Sequence, residues 1–167
     1  IVIAMALAAD PDLIIADEPT TALDVTIQAQ IVQILVDLVR DRDLALMLIT
    51  HDMGVVAQTC DSVVVLYAGR VAESNTVERV FAAPQHPYTR ALIACIPRRG
   101  MRAGDLQGIA GAVPSVADYP AGCRFNPRCP LARSVCRSSV PALAAAEGGG
   151  LVACHFGGEA EEAVRHG

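Results

Sequence analysis

The 167-residue sequence has no tryptophan and only 4% aromatic residues. Its 53% hydrophobic content is therefore largely Ala, Val, Leu and Ile, which fits a compact core. No apolar run is long: the longest, Ile1 to Ala9, falls far short of the ~20 residues a membrane span needs. No basic region precedes that run, which argues against a signal peptide. There is no excess of positive charge; a net charge of -5 gives no reason to expect nucleic-acid binding. No stretch matches the phosphate loop G-x-x-x-x-G-K-[ST], and no two cysteines form a C-x2-C pair. The sequence starts on Ile1, inside an apolar stretch, which suggests a fragment or a processed product. It reads as a soluble, cytosolic chain. In that setting six cysteines favour metal binding or free buried thiols over disulfides.

What is present centres on Leu13-Ile14-Ile15-Ala16-Asp17-Glu18-Pro19. The turn signal Asp10-Pro11-Asp12 precedes four apolar residues, which run into two carboxylates. Such a run reads as a buried strand, of the parallel-sheet kind. Open α/β sheets bind ligands at the carboxyl ends of their strands, where Asp17 and Glu18 fall. A bland alternative is a solvated acidic turn. Upstream, Ile1–Ala9 reads as a buried, alanine-rich helix. Downstream, Asp24 can cap a helix from about Val25 to Arg40. Its apolar face is Ile27, Ile31, Ile34, Leu35, Leu38 and Val39, and Arg40–Asp43 is a polar turn. A second strand, Leu44–Ile49, carries Thr50 and His51 to the same sheet edge as Glu18. Asp52 starts a short helix, Met53–Gln58.

The order of strand, Asp17-Glu18, Ala22-Leu23-Asp24, helix, strand and His51 resembles the second half of an ATP-binding-cassette (ABC) ATPase, from Ile1 to about Ser74. The resemblance implies an α/β fold, the C-terminal part of a P-loop NTPase domain. It implies that Asp17 holds Mg²⁺, that Glu18 is the catalytic base, and that Asp24 belongs to the loop facing a partner subunit. It implies that His51 contacts the γ-phosphate of ATP. No Walker A, Q-loop or signature motif is present, so in this form the chain is expected to bind ATP poorly and to hydrolyse it negligibly.

Ser62–Tyr67 and Arg70–Glu73 read as a hairpin around Ala68-Gly69. Thr76 can cap a helix Val77–Ala82. His86-Pro87-Tyr88-Thr89, followed by a helix, resembles the ABC ATPases of oligopeptide, dipeptide and nickel importers. His86 reads as a turn histidine before a helix-starting proline in preference to a metal ligand. Tyr88 and Leu92 are expected to pack on the sheet, and Cys95 to be core. Pro97–Ala121 reads as a linker with one short strand around Leu106–Val113.

Cys123, Cys129, Cys136 and Cys154 follow, spaced C-x5-C-x6-C-x17-C, with prolines and Gly122 that let a short loop fold back. Four thiols within about thirty residues look like a ligand set. Zinc prefers C-x2-C knuckles, whereas iron–sulfur clusters span wider separations. The Cys-x-Phe-x-Pro-Arg-Cys-Pro core and the final Val-Ala-Cys-His resemble the C-terminal extension of the same importer ATPases, some of which hold a [4Fe–4S] cluster. The ranking is [4Fe–4S] first, zinc second, non-ligand cysteines third. Arg124 and Arg128 read either as balancing a cluster's negative charge or as solvated. His155 could replace a ligand.

The resemblance therefore divides the chain into four parts. Residues 1–96 are the C-terminal half of the ATPase domain, 97–121 a linker, 122–156 the cysteine module and 157–167 a disordered tail. It implies the energy-coupling subunit of a peptide importer, using ATP and Mg²⁺ and peripheral to the cytoplasmic face of the membrane. The implied partners are a second ATPase subunit, transmembrane permease subunits and, indirectly, an external substrate-binding protein. The rival is a non-catalytic metal-cluster or scaffold protein.

Overall fold

The computed structural model describes residues 2–21, 23–42, 44–97, 100 and 108–157. The chain is α/β and divides into two compact units, residues 1–59 and 60–167.

The first unit is a βαβ crossover preceded by a short helix. Helix α1 is Val2–Leu7, strand β1 Leu13–Asp17, helix α2 Val25–Arg42, strand β2 Ala45–Ile49 and helix α3 Met53–Thr59. Strands β1 and β2 pair in parallel, Leu13 with Ala45 through Asp17 with Ile49, and α2 makes the connection. Asp24 caps α2 as expected: its Oδ1 accepts from Ile27 N at 3.0 Å. Asp52 starts α3 likewise, accepting from Gly54 N at 2.8 Å and Val55 N at 3.2 Å.

Three expectations are corrected here. Helix α1 buries no residue: Val2 is 80% exposed and Met5 70%. Strand β1 is covered on one face only. Ile14 and Ala16 are buried, whereas Leu13 and Ile15 are exposed, as are Met47 and Ile49 of β2. A run of apolar residues shows that both faces can be covered, not that both are; a two-stranded sheet with one crossover helix has apolar cover for one. Helix α2 runs two residues past Arg40, and its expected face is only partly used. Leu35 is buried, but Ile27 and Ile34 are exposed.

In the second unit, β3 (Ser62–Tyr67) and β4 (Arg70–Thr76) form the expected hairpin. Its turn has φ 47° at Ala68 and φ 77° at Gly69, the two left-handed residues that a tight two-residue hairpin needs. Thr76 caps α4 (Val77–Ala82), accepting from Arg79 N. Pro87 opens α5 (Pro87–Ala94). Strands β5 (Ala144–Ala145) and β6 (Leu151–Val152) then extend the sheet to the order β3-β4-β6-β5. Glu73 pairs with Val152, and Ala153 N donates to Ala72 O at 2.9 Å. The Gly148–Gly150 stretch is the turn between β5 and β6, closed by Ala146 N to Gly150 O at 3.1 Å.

The cysteine-bearing stretch shares a core with the hairpin. Phe125, only 2% exposed, joins Val65, Tyr67 and Ala72 in one buried cluster. Its ring meets Tyr67 edge-on at 5.1 Å and lies 5.5 Å from Tyr88. Tyr88 and Leu92 pack on this cluster as expected. Of the strand expected around Leu106–Val113, residues 108–113 form no strand, and the rest lies outside the described residues, as does the tail from 158. Among the described residues no helix is long and apolar enough to cross a membrane.

Candidate functional site

Two sites take shape, one in each unit. The first lies at the carboxyl ends of β1 and β2. The pairing continues one residue past the strand, with Glu18 N donating to Ile49 O at 2.8 Å. Glu18 itself is left-handed, with φ 42°. For a residue other than glycine, that conformation costs on the order of 1–3 kcal/mol and is concentrated at functional positions. It turns the chain so that the side chain meets His51: Oε1 lies 3.1 Å from His51 Nδ1. The other oxygen, Oε2, accepts from Thr21 Oγ1 at 2.7 Å. These bonds, Thr21 first and His51 second, hold the Glu18 carboxyl below its ordinary pKa.

The His51 side chain is 81% exposed and that of Glu18 46%. A pair so open to solvent adds little to stability. It is a matter of position more than of folding energy: a carboxylate and an imidazole held together, open to solvent, at the carboxyl edge of a parallel sheet, where α/β proteins place ligands. Asp17, opposite Ile49 in the register, is at the same edge and is exposed. Asp24 is exposed as well, its carboxylate engaged in capping α2. Thr21 is the residue that sequence reasoning left without a role. Its position three residues after Glu18, in a turn, was the available signal.

The second site is in the cysteine stretch. Cys123, Cys129, Cys136 and Cys154 are all free thiols and all line one cavity of about 20 Å³, together with His86, Phe125, His155 and Phe156. Gly122 makes this possible, since a Cβ there would meet Cys136 O at 2.3 Å. That close approach lets Cys123 N donate to Cys136 O at 2.8 Å. Burial pushes the Cys123 and Cys129 thiols up, and Cys154 up to about 11. The neighbouring thiols act in the same direction.

Among the described residues no three His, Cys, Asp or Glu side chains stand arranged to hold a metal ion. The shared cavity and that result are compatible. Neutral thiols have no cause to draw closer, and a thiophilic cation would supply it by deprotonating them. Thiols are the kind of donor that a thiophilic metal takes.

The arginines are not simply solvated. Arg124 donates to Ala68 O and stacks on Tyr119, 3.8 Å from the ring centre. Arg128 ties residues 109–110 down, donating to Ile109 O and Ala110 O at 2.7 Å each. Both are structural ties. Glu73 was read only as a strand residue. It is 1% exposed, and its two oxygens accept from Gln85 N and His86 N at 2.8 Å each. His86 caps α5, its Nδ1 accepting from Tyr88 N at 3.0 Å. Burial lowers its pKa to about 4, so it is neutral near pH 7.

The family model described as the C-terminal region of oligopeptide/dipeptide transporters matches residues 72–136. The probable peptide ABC transporter ATP-binding protein y4tR of Sinorhizobium fredii is 54% identical over 153 residues, 91% of this chain and 46% of that protein. The dipeptide transport ATP-binding protein DppD of Escherichia coli is 47% identical over 156 residues, 93% of this chain and 48% of its own length. A solved structure of CbiO1 from Clostridium perfringens, part of an ABC transporter complex, matches at 35% identity and a TM-score of 0.45. That match covers 48% of this chain and 32% of that one. The chain spans about half the length of the curated relatives it matches.

Proposed function

We propose that the chain is the C-terminal half of an oligopeptide/dipeptide-type ABC ATP-binding subunit, and that it carries the hydrolytic edge of an ATPase that drives peptide import. The observation that supports this most is the contact of Glu18 with His51 at 3.1 Å, across the ends of two parallel strands. In this reading Glu18 is the base that takes a proton from the attacking water. His51 donates to the γ-phosphate. Asp17 binds Mg²⁺ through water, and bound Mg²⁺ would offset the charge of the terminal phosphates. Thr21 holds the Glu18 carboxylate in line. Asp24 sits on the loop that faces a second ATPase subunit. Permease subunits and, indirectly, an external binding protein complete the assembly, with this subunit peripheral to the cytoplasmic face. The scaffold alternative gains nothing from the relatives.

Residues 1–96 then belong to the ATPase domain and 122–156 to an extension holding a thiolate centre, with 97–121 as linker. The four cysteines lining one cavity support that centre. A [4Fe–4S] cluster is the family-based choice, with zinc as the second reading. Iron, sulfide and zinc assays on anaerobically purified protein separate the two: iron and sulfide near four each for the cluster, zinc near one per chain for the ion.

The ATPase reading is tested by joining the chain to the N-terminal half of its Sinorhizobium fredii relative. Glu18→Gln in that subunit should retain ATP binding and lose turnover by at least about a hundredfold, the lower bound for a positioned base. Unchanged hydrolysis would remove Glu18 from the role.

A further inference from the structure

The second unit holds a cavity of about 250 Å³, much larger than the one shared by the four cysteines. Its wall is mostly apolar: Val71 and Ala72 of β4, Phe125, and Val140, Pro141 and Leu143 from the stretch before β5. A dry apolar cavity of about 150 Å³ is enough to take up benzene, so this one has room for a ring and a short chain. Val140 is 39% exposed and Leu143 46%. Part of the wall is therefore apolar surface that an incoming ligand would remove from water, which favours binding.

The charge on that wall is of one sign. Arg70 and Arg124 line it, and among the described residues no Asp or Glu does. The Arg70 side chain is exposed and makes no hydrogen bond or ion pair among the described residues. Arg124 is held by Ala68 O and the Tyr119 ring, neither of which is an anion. Glu73, next in sequence to Ala72, gives both its oxygens to the amides of Gln85 and His86 and does not line the cavity. A cleft with apolar walls and charge of one sign concentrates the field and draws in the opposite ion. An apolar pocket with a few polar groups to fix orientation is the usual form of a small-molecule site.

We propose that this cavity binds a small monocarboxylate with a benzene-sized apolar body. The body covers Phe125, Val140 and Leu143, and the carboxylate pairs with Arg70. The assignment rests on neither the ATPase nor the thiolate-centre reading. The same chemistry is offered by a free acid and by the carboxyl end of a peptide whose last residue is apolar.

Phenylpropionate is the probe for the free acid, N-acetylphenylalanine for the peptide end, and phenylpropionamide is the uncharged counterpart. Each is titrated into the reduced whole chain near pH 7 and followed by amide NMR shifts. Phenylpropionate should move the amides of Val71, Ala72, Leu143 and Ala153 and saturate with a Kd on the order of millimolar, as suits so small a ligand. It should bind roughly two- to fivefold more tightly than phenylpropionamide, the range of an ion pair with an exposed partner. Arg70→Gln should abolish that preference and leave the affinity for phenylpropionamide unchanged, which also shows that the variant is folded. Val140→Phe, which fills part of the cavity, should weaken both. Whichever of the two acids binds more tightly identifies the source, and either one supports the proposal. Equal affinity for phenylpropionate and phenylpropionamide, or a preference that survives Arg70→Gln, overturns it. So do saturable shifts confined to other amides, or no saturation at about ten times the expected concentration.

Discussion

Glu73 offers the sharpest test of how the second unit is assembled. Its carboxylate is 1% exposed and accepts two backbone hydrogen bonds, from Gln85 and His86, at 2.8 Å each. These bonds fasten the segment that turns the chain into α5 to the middle of β4. Replacing Glu73 by Ala leaves two amides without acceptors in a buried place. A hydrogen bond to a charged group is worth roughly 1.5–3 kcal/mol, so with two of them lost Glu73→Ala should cost about 3–6 kcal/mol. That is a large part of the ~5–15 kcal/mol by which domains are stable. Glu73→Gln keeps one acceptor oxygen but turns an NH₂ toward the other amide, and should cost about 2–3 kcal/mol. Urea unfolding followed by circular dichroism measures both, and hydrogen exchange at the amides of Gln85 and His86 localises the effect. The reasoning is refuted if Glu73→Ala unfolds within about 1 kcal/mol of wild type, or if those two amides stay equally protected.

Further outcomes follow from the same structure. Phe125→Ala should destabilise the second unit by about 3–5 kcal/mol in urea, since a buried ring with aromatic neighbours is removed; a loss below about 1 kcal/mol would mean that the extension does not share the hairpin's core. Gly122→Ala should lower the unfolding temperature, because its Cβ would meet Cys136 O at 2.3 Å; an unchanged temperature would discount that close approach. The Glu18 carboxyl should titrate below the ordinary value of 4.5 by NMR. The sign follows from the depressed folded pKa: its Thr21 and His51 bonds favour the folded chain above the unfolded pKa, and that preference fades as pH falls through the folded one. Thr21→Ala should raise the Glu18 pKa toward 4.5, and an unmoved titration would discount the Thr21 bond.

Local chemistry was the legible part of this sequence. Asp24 and Asp52 could be read as caps because a carboxylate before a helix has few other uses, and the hairpin because Ala68-Gly69 interrupts two β-rich runs. The Glu18–His51 meeting was anticipated because parallel strands deliver their ends to one edge. Coverage was not legible. Ile15, Met47 and Val2 are apolar enough to be core, yet pattern alone does not say what lies across from them. Long-range polar ties were hidden for a related reason. Glu73 reads as an ordinary strand residue until β4 and the segment before α5 are seen together, and nothing in the sequence tied Arg124 to Ala68 or Arg128 to Ile109 and Ala110. The left-handed backbone of Glu18 left no trace in composition or periodicity.

The central claim is that Glu18 and His51 act on one reacting group. A double-mutant cycle on ATP turnover, in the subunit completed with its relative's N-terminal half, tests it most directly. Glu18→Gln and His51→Ala should each lower kcat at least about a hundredfold, and the double variant should be little slower than the slower single one. Losses that simply multiply would show the two side chains acting independently and would contradict the account.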